Sequence, residues 1–361
     1  MATEVVSKEE ILKKEKKSGV KWGFIWAFAC AVMWGLGYVP LQVIWGIEPL
    51  SIGYGFADAD TGYLVGSFLD AFVQALTFGI ILTVVWAGCT GKWREYKRVI
   101  TNFRMTKWLF CGALFGGPMA IFGAALATGY IGASFAASVA LLSCVVGAFI
   151  ARAFNHEKFS MKAIIGIAVI IIGGIIIMNP MTIIDNIRNP ANDGNIMLGY
   201  LGAIMSVVGW GVEGNLSIKA LNVTDVDASL PVRFTVELFF WIIILLPVLC
   251  VIVGPDKFVD CMCRTFESTG LIFWMFICAL SLGFCYAAQY KAFPLIGIGR
   301  TLCLCNLYVP VSMIVLSIFL GQSLDFLLVI GAAVAIIGTF VMYWEKGSDD
   351  AEASAGGGSD E

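Results

Sequence analysis

Hydrophobic and polar positions along this chain do not alternate and do not repeat with one polar face. They come instead as long apolar blocks separated by short polar segments. A helix needs about 20 mostly apolar residues to cross a bilayer at a rise of about 1.5 Å per residue. On that basis the chain predicts ten spans: Trp22–Trp45, Gly66–Ala87, Lys107–Ala127, Ala133–Phe154, Met161–Met178, Met197–Ile218, Thr235–Val253, Gly270–Tyr290, Arg300–Leu320 and Asp325–Trp344. Strands of a membrane barrel would alternate apolar and polar over about ten residues. Ala163–Met178 is apolar on every face, so these blocks are helices.

Composition agrees with that pattern. Residues of the hydrophobic class make up 59% of the 361 positions, and charged residues only 14%. Soluble domains average about 45–50% apolar and about 25% charged residues, and a water-facing surface could not accommodate this excess. The 40 glycines suit close packing of membrane helices. Charge then sets orientation. With the N-terminus inside, the inner segments hold 20 of the 23 Lys and Arg, leaving Arg188, Lys257 and Arg264 outside. This positive-inside split predicts a multi-pass protein of the cytoplasmic membrane with both termini cytoplasmic. Residues 1–21 form a charged leading segment. The apolar block after them is too long for the core of a cleaved signal. The tail at 345–361 is Gly, Ser, Ala and acid, and reads as disordered.

The chain also resembles itself. Gly166-Ile-Ala-Val-Ile-Ile-Ile-Gly173 matches Gly331-Ala-Ala-Val-Ala-Ile-Ile-Gly338 at six of eight positions with a shift of 165. The same shift sets His156-Glu157 against Gly321-Gln322, and Trp34-Gly35 matches Trp210-Gly211 at a shift of 176. A first repeat over 22–178 and a second over 197–344, joined by an outer connector at 179–196, each hold five spans. An odd number of spans forces the second repeat to thread the membrane upside down. Inverted repeats are a recurring construction of secondary transporters.

Ala31-Val-Met-Trp34-Gly35, Gly132-Ala-Ser134, the polar turn at Glu157, Pro310 and the glycine-bearing fifth and tenth spans occur in an order that resembles the EamA-like transporters of the drug/metabolite transporter superfamily. The resemblance covers about residues 22–344. It implies ten helices in two five-helix halves around a central cavity, and movement of a small organic solute. The chain departs from that pattern in the long segment Gly46–Thr61, in Gln322 where the family often has Glu, and in a fourth span without the proline of the ninth.

Ionisable side chains inside apolar spans are costly, roughly 2.5–3.5 kcal/mol each at a helix centre. Each is therefore a candidate for function. Glu213 shares a helix face with Gly202, Ser206 and Gly209, a face suited to another helix or to a cavity. It reads as a proton site, as a counter-charge for a substrate ammonium, or as a structural carboxyl. Arg233 and Glu237 are four apart and form a structural ion pair or a gate. Asp70, near the outer end of the second span beside Gln74, either joins a gate or reaches water. Trp34, Tyr38 and Trp210 would offer aromatic faces to a cationic substrate. Asn306 and Arg300 in the ninth span complete the substrate set, although Arg300 also serves as a positive-inside anchor.

Other chemistry finds little support. The single histidine, His156, excludes a multi-histidine metal site, and most of the eleven cysteines sit in apolar runs. Cys261-x-Cys263 lies in a polar loop and is open to pairing or to a metal. No cofactor signature or basic stripe for nucleic acid is present, so neither partner is expected. The expected function is secondary transport of a small metabolite such as an amine or amino acid, by alternating access in the lipid bilayer. Coupling to a proton or other ion and assembly as a homodimer stay open. A passive channel, a membrane scaffold and a membrane-embedded enzyme are the alternatives.

Overall fold

The computed structural model describes residues 8–51, 59–155, 160–188, 195–221, 223–296 and 298–343, and these are helical apart from short turns and irregular connections such as 321–325. Among the described residues, nine helices are long and apolar enough to cross a membrane: α1 (Ser18–Ile44), α2 (Ala59–Thr90), α3 (Thr106–Ile131), α4 (Ala133–Phe154), α5 (Met161–Met178), α6 (Ile196–Leu221), α7 (Val226–Val253), α8 (Thr269–Ile296) and α9 (Arg300–Leu320). A shorter apolar helix follows, α10 (Phe326–Met342). Its 17 residues span about 26 Å, and Trp344 lies outside the described residues.

The chain is thus a multi-pass membrane protein, and its outer surface shows why. Ile171, Ile172 and Ile175 on α5 and Ile242, Ile243 and Ile244 on α7 are all exposed. The most apolar window of α7, with mean hydropathy 2.9, is only 28% buried within the protein. Lipid tails are the environment that satisfies such a surface.

Several helices are longer than their apolar cores. The first helix is continuous from Lys8, through most of the charged leading segment. The second begins at Ala59 rather than Gly66, and the seventh at Val226 rather than Thr235. Asp225 caps the seventh by accepting from the Asp227 amide, so the helix starts where its free amides find a partner rather than where the apolar letters begin. The matches at Glu157 and the tail at 345–361 lie outside the described residues.

Small residues set the helix contacts. A Cβ on Gly123 would fall on Gly202 and Ser206, and one on Gly209 would fall on Phe115 and Ala120. The face bearing Gly202, Ser206 and Gly209 therefore packs on α3. In the same way α5 crosses α10: Gly166 touches Met342, Gly173 touches Ala335 and Gly331, and Gly338 touches Ile170 and Gly166. Partner numbers fall along one helix as they rise along the other, so the two helices run antiparallel. Hydrocarbon offers no hydrophobic drive between helices, so close backbone approach at glycine is what holds these pairs.

Two helices break midway. In α4 the helix yields to a turn at Leu141–Leu142, and in α9 at Asn306–Leu307. The bonding is the same in both: Leu142 N donates to Val139 O and Leu307 N to Leu304 O, while Val146 N and Val311 N make long bonds of 3.5 Å to Leu142 O and Leu307 O. Pro310 accounts for the second break, since it has no N–H for the carbonyl of Asn306. The first break has no proline.

Candidate functional site

The three ionisable residues Glu213, Arg233 and Glu237 meet in one buried cluster. Arg233 comes from α7 and is fully buried. Its Nε donates to Glu213 Oε1 of α6 at 2.7 Å, and its Nη1 donates to Glu237 Oε2 one turn along α7. Gly116 and Gly117 of α3 make the room. A Cβ on Gly116 would collide with the Glu213 carboxyl and Arg233 Nη2, and one on Gly117 with the Glu237 carboxyl. Both glycines lie in a π-helical stretch, Phe115–Ile121, that forms around Pro118. Two carboxylates against one guanidinium leave a net charge of −1, which a single proton removes. Arg233 Nη2 and Glu237 Oε1 have no hydrogen-bond partner and are buried.

Aromatic rings connect this cluster to a central cavity. The Arg233 guanidinium lies 5.0 Å from the Tyr286 ring centroid, and Tyr286 Oη accepts from Trp210 Nε1 at 3.1 Å. Trp210 meets Trp34 edge-on at 5.7 Å, and Trp34 stacks on Tyr308 at 4.5 Å. Trp34, Tyr38, Phe78, Trp210 and Tyr286 line a cavity of about 30 Å³, with Gln74 as its amide. A water needs roughly 10–15 Å³ on this measure. The cavity therefore has space for a water or two and not for an organic solute.

Asp70 lies one helical turn from the cavity residue Gln74 on α2. Its Oδ1 accepts from Gln74 Nε2 at 2.8 Å, and its Oδ2 is buried without a partner. Asp70 does not reach water, as its place near a span end suggested: it is fully buried. Because α2 starts at Ala59, eleven residues earlier, Asp70 sits about 16 Å along the helix.

The structure thus brings Trp34, Tyr38 and Trp210 to the cavity wall and joins Glu213, Arg233 and Glu237 behind it. Asn306 stands apart at the α9 break, donating to Thr339 Oγ1 at 3.4 Å, and Arg300 is outside the cavity lining. Sequence reasoning did not single out Gly116, Gly117 or the cavity role of Tyr286. The Gly-Gly-Pro at 116–118 inside an apolar span was the available signal for the first two. Cys261 and Cys263 are both free. They lie two apart on the surface helix Pro255–Glu267, with Cys261 turned inward and Cys263 exposed.

At the shift that matches Trp34 with Trp210, Glu213 stands against Gly37 of α1, which packs on Leu282 of α8.

No protein-family profile and no curated protein matches the chain. The fold itself recurs. A solved crystal structure, described only as that of a protein, superposes with a TM-score of 0.55 at 14% identity, over 88% of this chain and 95% of its own. At that identity the likeness is one of fold alone.

Proposed function

We propose that this chain is a secondary transporter of a small organic metabolite (an amine, an amino acid or a similar solute). It works by alternating access between two inverted five-helix halves, with Phe326–Met342 as the tenth crossing. The architecture is of the EamA-like kind within the drug/metabolite transporter superfamily, and the charge split of the loops puts both termini in the cytoplasm.

The observation that carries this reading is that the repeat-related segments meet one another. The α5–α10 crossing is centred on the two matched segments, with contacts running from Gly166–Met342 through Gly173–Ala335 and Ile170–Gly338 to Ile177–Gly331. The breaks in α4 and α9 are also 165 apart, and Trp34 touches its own counterpart Trp210. Segments that touch their own equivalents lie on an axis that exchanges the two halves. Such an axis in the membrane plane makes a site closed to one side convertible into one closed to the other. The aromatic cavity is the substrate's path in this reading: the Glu213–Arg233–Glu237 cluster adjoins its wall through Tyr286 and Asp70 through Gln74, and the odd carboxyl of the cluster is the coupling proton's place.

Reconstitution into liposomes tests this. Purified protein should drive uptake of at least one labelled amine or amino acid when a pH gradient is imposed. Glu213→Gln should abolish that coupling yet leave substrate exchange and folding intact, because Gln keeps an acceptor for Arg233 and leaves the cluster neutral. Normal coupled uptake by the variant removes Glu213 from the mechanism. Ohmic currents in planar bilayers would replace the carrier with a passive pore.

A further inference from the structure

We propose that the short surface helix Trp93–Thr101, with the turn that follows it, is a binding site for anionic phospholipid headgroups. The inference is independent of the transport reading. The helix joins the end of α2 to the start of α3, so both its ends lead into apolar spans and it sits at the membrane boundary. Its inner face is fixed: Val99 is buried, and Tyr96 Oη shares a hydrogen bond with Thr235 Oγ1 of α7 at 3.0 Å. Its outer face is basic. Arg94, Lys97 and Arg98 are three and four apart on one side, and all are exposed. Arg104 and Lys107 continue the exposed basic surface at the start of α3.

Charge balance separates these cations from their neighbours. Lys92 pairs with Asp225 at 3.3 Å and Lys291 with Asp227 at 3.1 Å, which uses the nearby carboxylates. None of Arg94, Lys97, Arg98 and Arg104 has an ion pair among the described residues, and Glu95 is the one acid between Lys92 and Lys107. Aromatic side chains mark the same level: Phe103 is 75% exposed and Trp93 38%. Exposed aromatics beside unpaired cations match the interfacial layer, where rings lie among headgroups and arginines meet phosphates. A rigidly held basic face at that depth favours a negatively charged headgroup over a zwitterionic one.

The test uses the full chain in bilayers with spin-labelled phosphatidylglycerol or spin-labelled phosphatidylcholine as the probe. The native protein should retain phosphatidylglycerol several-fold over phosphatidylcholine. That preference should fall when salt is raised from about 0.01 M to about 1 M, since the screening length shrinks from about 30 Å to about 3 Å. Combining Arg94→Gln, Lys97→Gln and Arg98→Gln should bring the ratio close to one, while Arg94→Lys with Arg98→Lys should keep it. Equal retention of the two lipids by the native protein would overturn the assignment. So would a preference that survives high salt or the neutralising substitutions.

Discussion

At the scale of single residues, Arg233 carries the greatest electrostatic responsibility. Its guanidinium stays charged, and two carboxylates share it in a setting where no side chain of the cluster is more than 5% exposed. Breaking a buried ion pair by removing one partner costs about 3–5 kcal/mol, because the other charge is left behind. Arg233→Met should therefore lower the melting temperature of the detergent-solubilised protein sharply. Adding Glu213→Gln and Glu237→Gln should recover most of the loss, because the triple variant leaves no buried charge without a partner. A stable Arg233→Met protein, or a triple variant no better than the single one, would sink the view that these three act as a unit.

At the scale of elements, the α5–α10 crossing makes a specific statement of register and direction. A Cβ on Gly173 would fall 2.5 Å from Ala335 N, and one on Gly338 would fall 2.7 Å from Ile170 N, so neither position has room for a side chain. Gly173→Leu and Gly338→Leu should each lower the melting temperature of the detergent-solubilised protein. Gly214→Ala should not, because nothing lies within 4 Å of a Cβ there. Unchanged melting of the two leucine variants would sink this crossing. The paired breaks in α4 and α9 belong to the same scale. They interrupt two apolar helices at corresponding levels, which membrane helices tolerate only where protein re-satisfies the freed groups. Near the breaks, Ala137 O accepts from Tyr308 Oη at 2.6 Å and Leu141 O from Cys144 Sγ at 3.1 Å.

At the scale of the whole molecule, the native cysteines report on topology. Cys89, at the end of α2, and Cys263, on the helix between α7 and α8, are both exposed. On the orientation proposed from the charge split, Cys89 lies in the cytoplasm and Cys263 outside. A membrane-impermeant maleimide added to intact cells should therefore modify Cys263 and spare Cys89 until the membrane is opened. The reverse labelling would invert the orientation. Cys261 supplies a pH control. Burial, then the neighbouring Asp260 charge, holds its thiol above the usual cysteine range. The thiolate is the reactive form. Cys261 is also buried, and a raised value leaves less thiolate at any given pH, so its labelling should be slow and should increase as pH rises.

The sequence by itself determined that hydrocarbon surrounds most of this chain, where its main helices lie, and which small residues repeat. These are local properties: apolar length, loop charge and spacing are each legible within one segment. It also marked Glu213, Arg233, Glu237, Asp70, Trp34 and Trp210, because polar or aromatic side chains deep in apolar blocks stand out one at a time. Only the tertiary structure decided that Arg233 joins Glu213 to Glu237, that Gly116 and Gly117 make space for their carboxyls, and that Asp70 is sealed from water. It also decided that Asn306 and Arg300 lie away from the cavity. Each of these depends on which helix faces which across tens to hundreds of residues, and lipid-solvated helices choose neighbours by backbone fit rather than by hydrophobic pattern. A fit between two surfaces is a property of the pair, and no single segment spells it out.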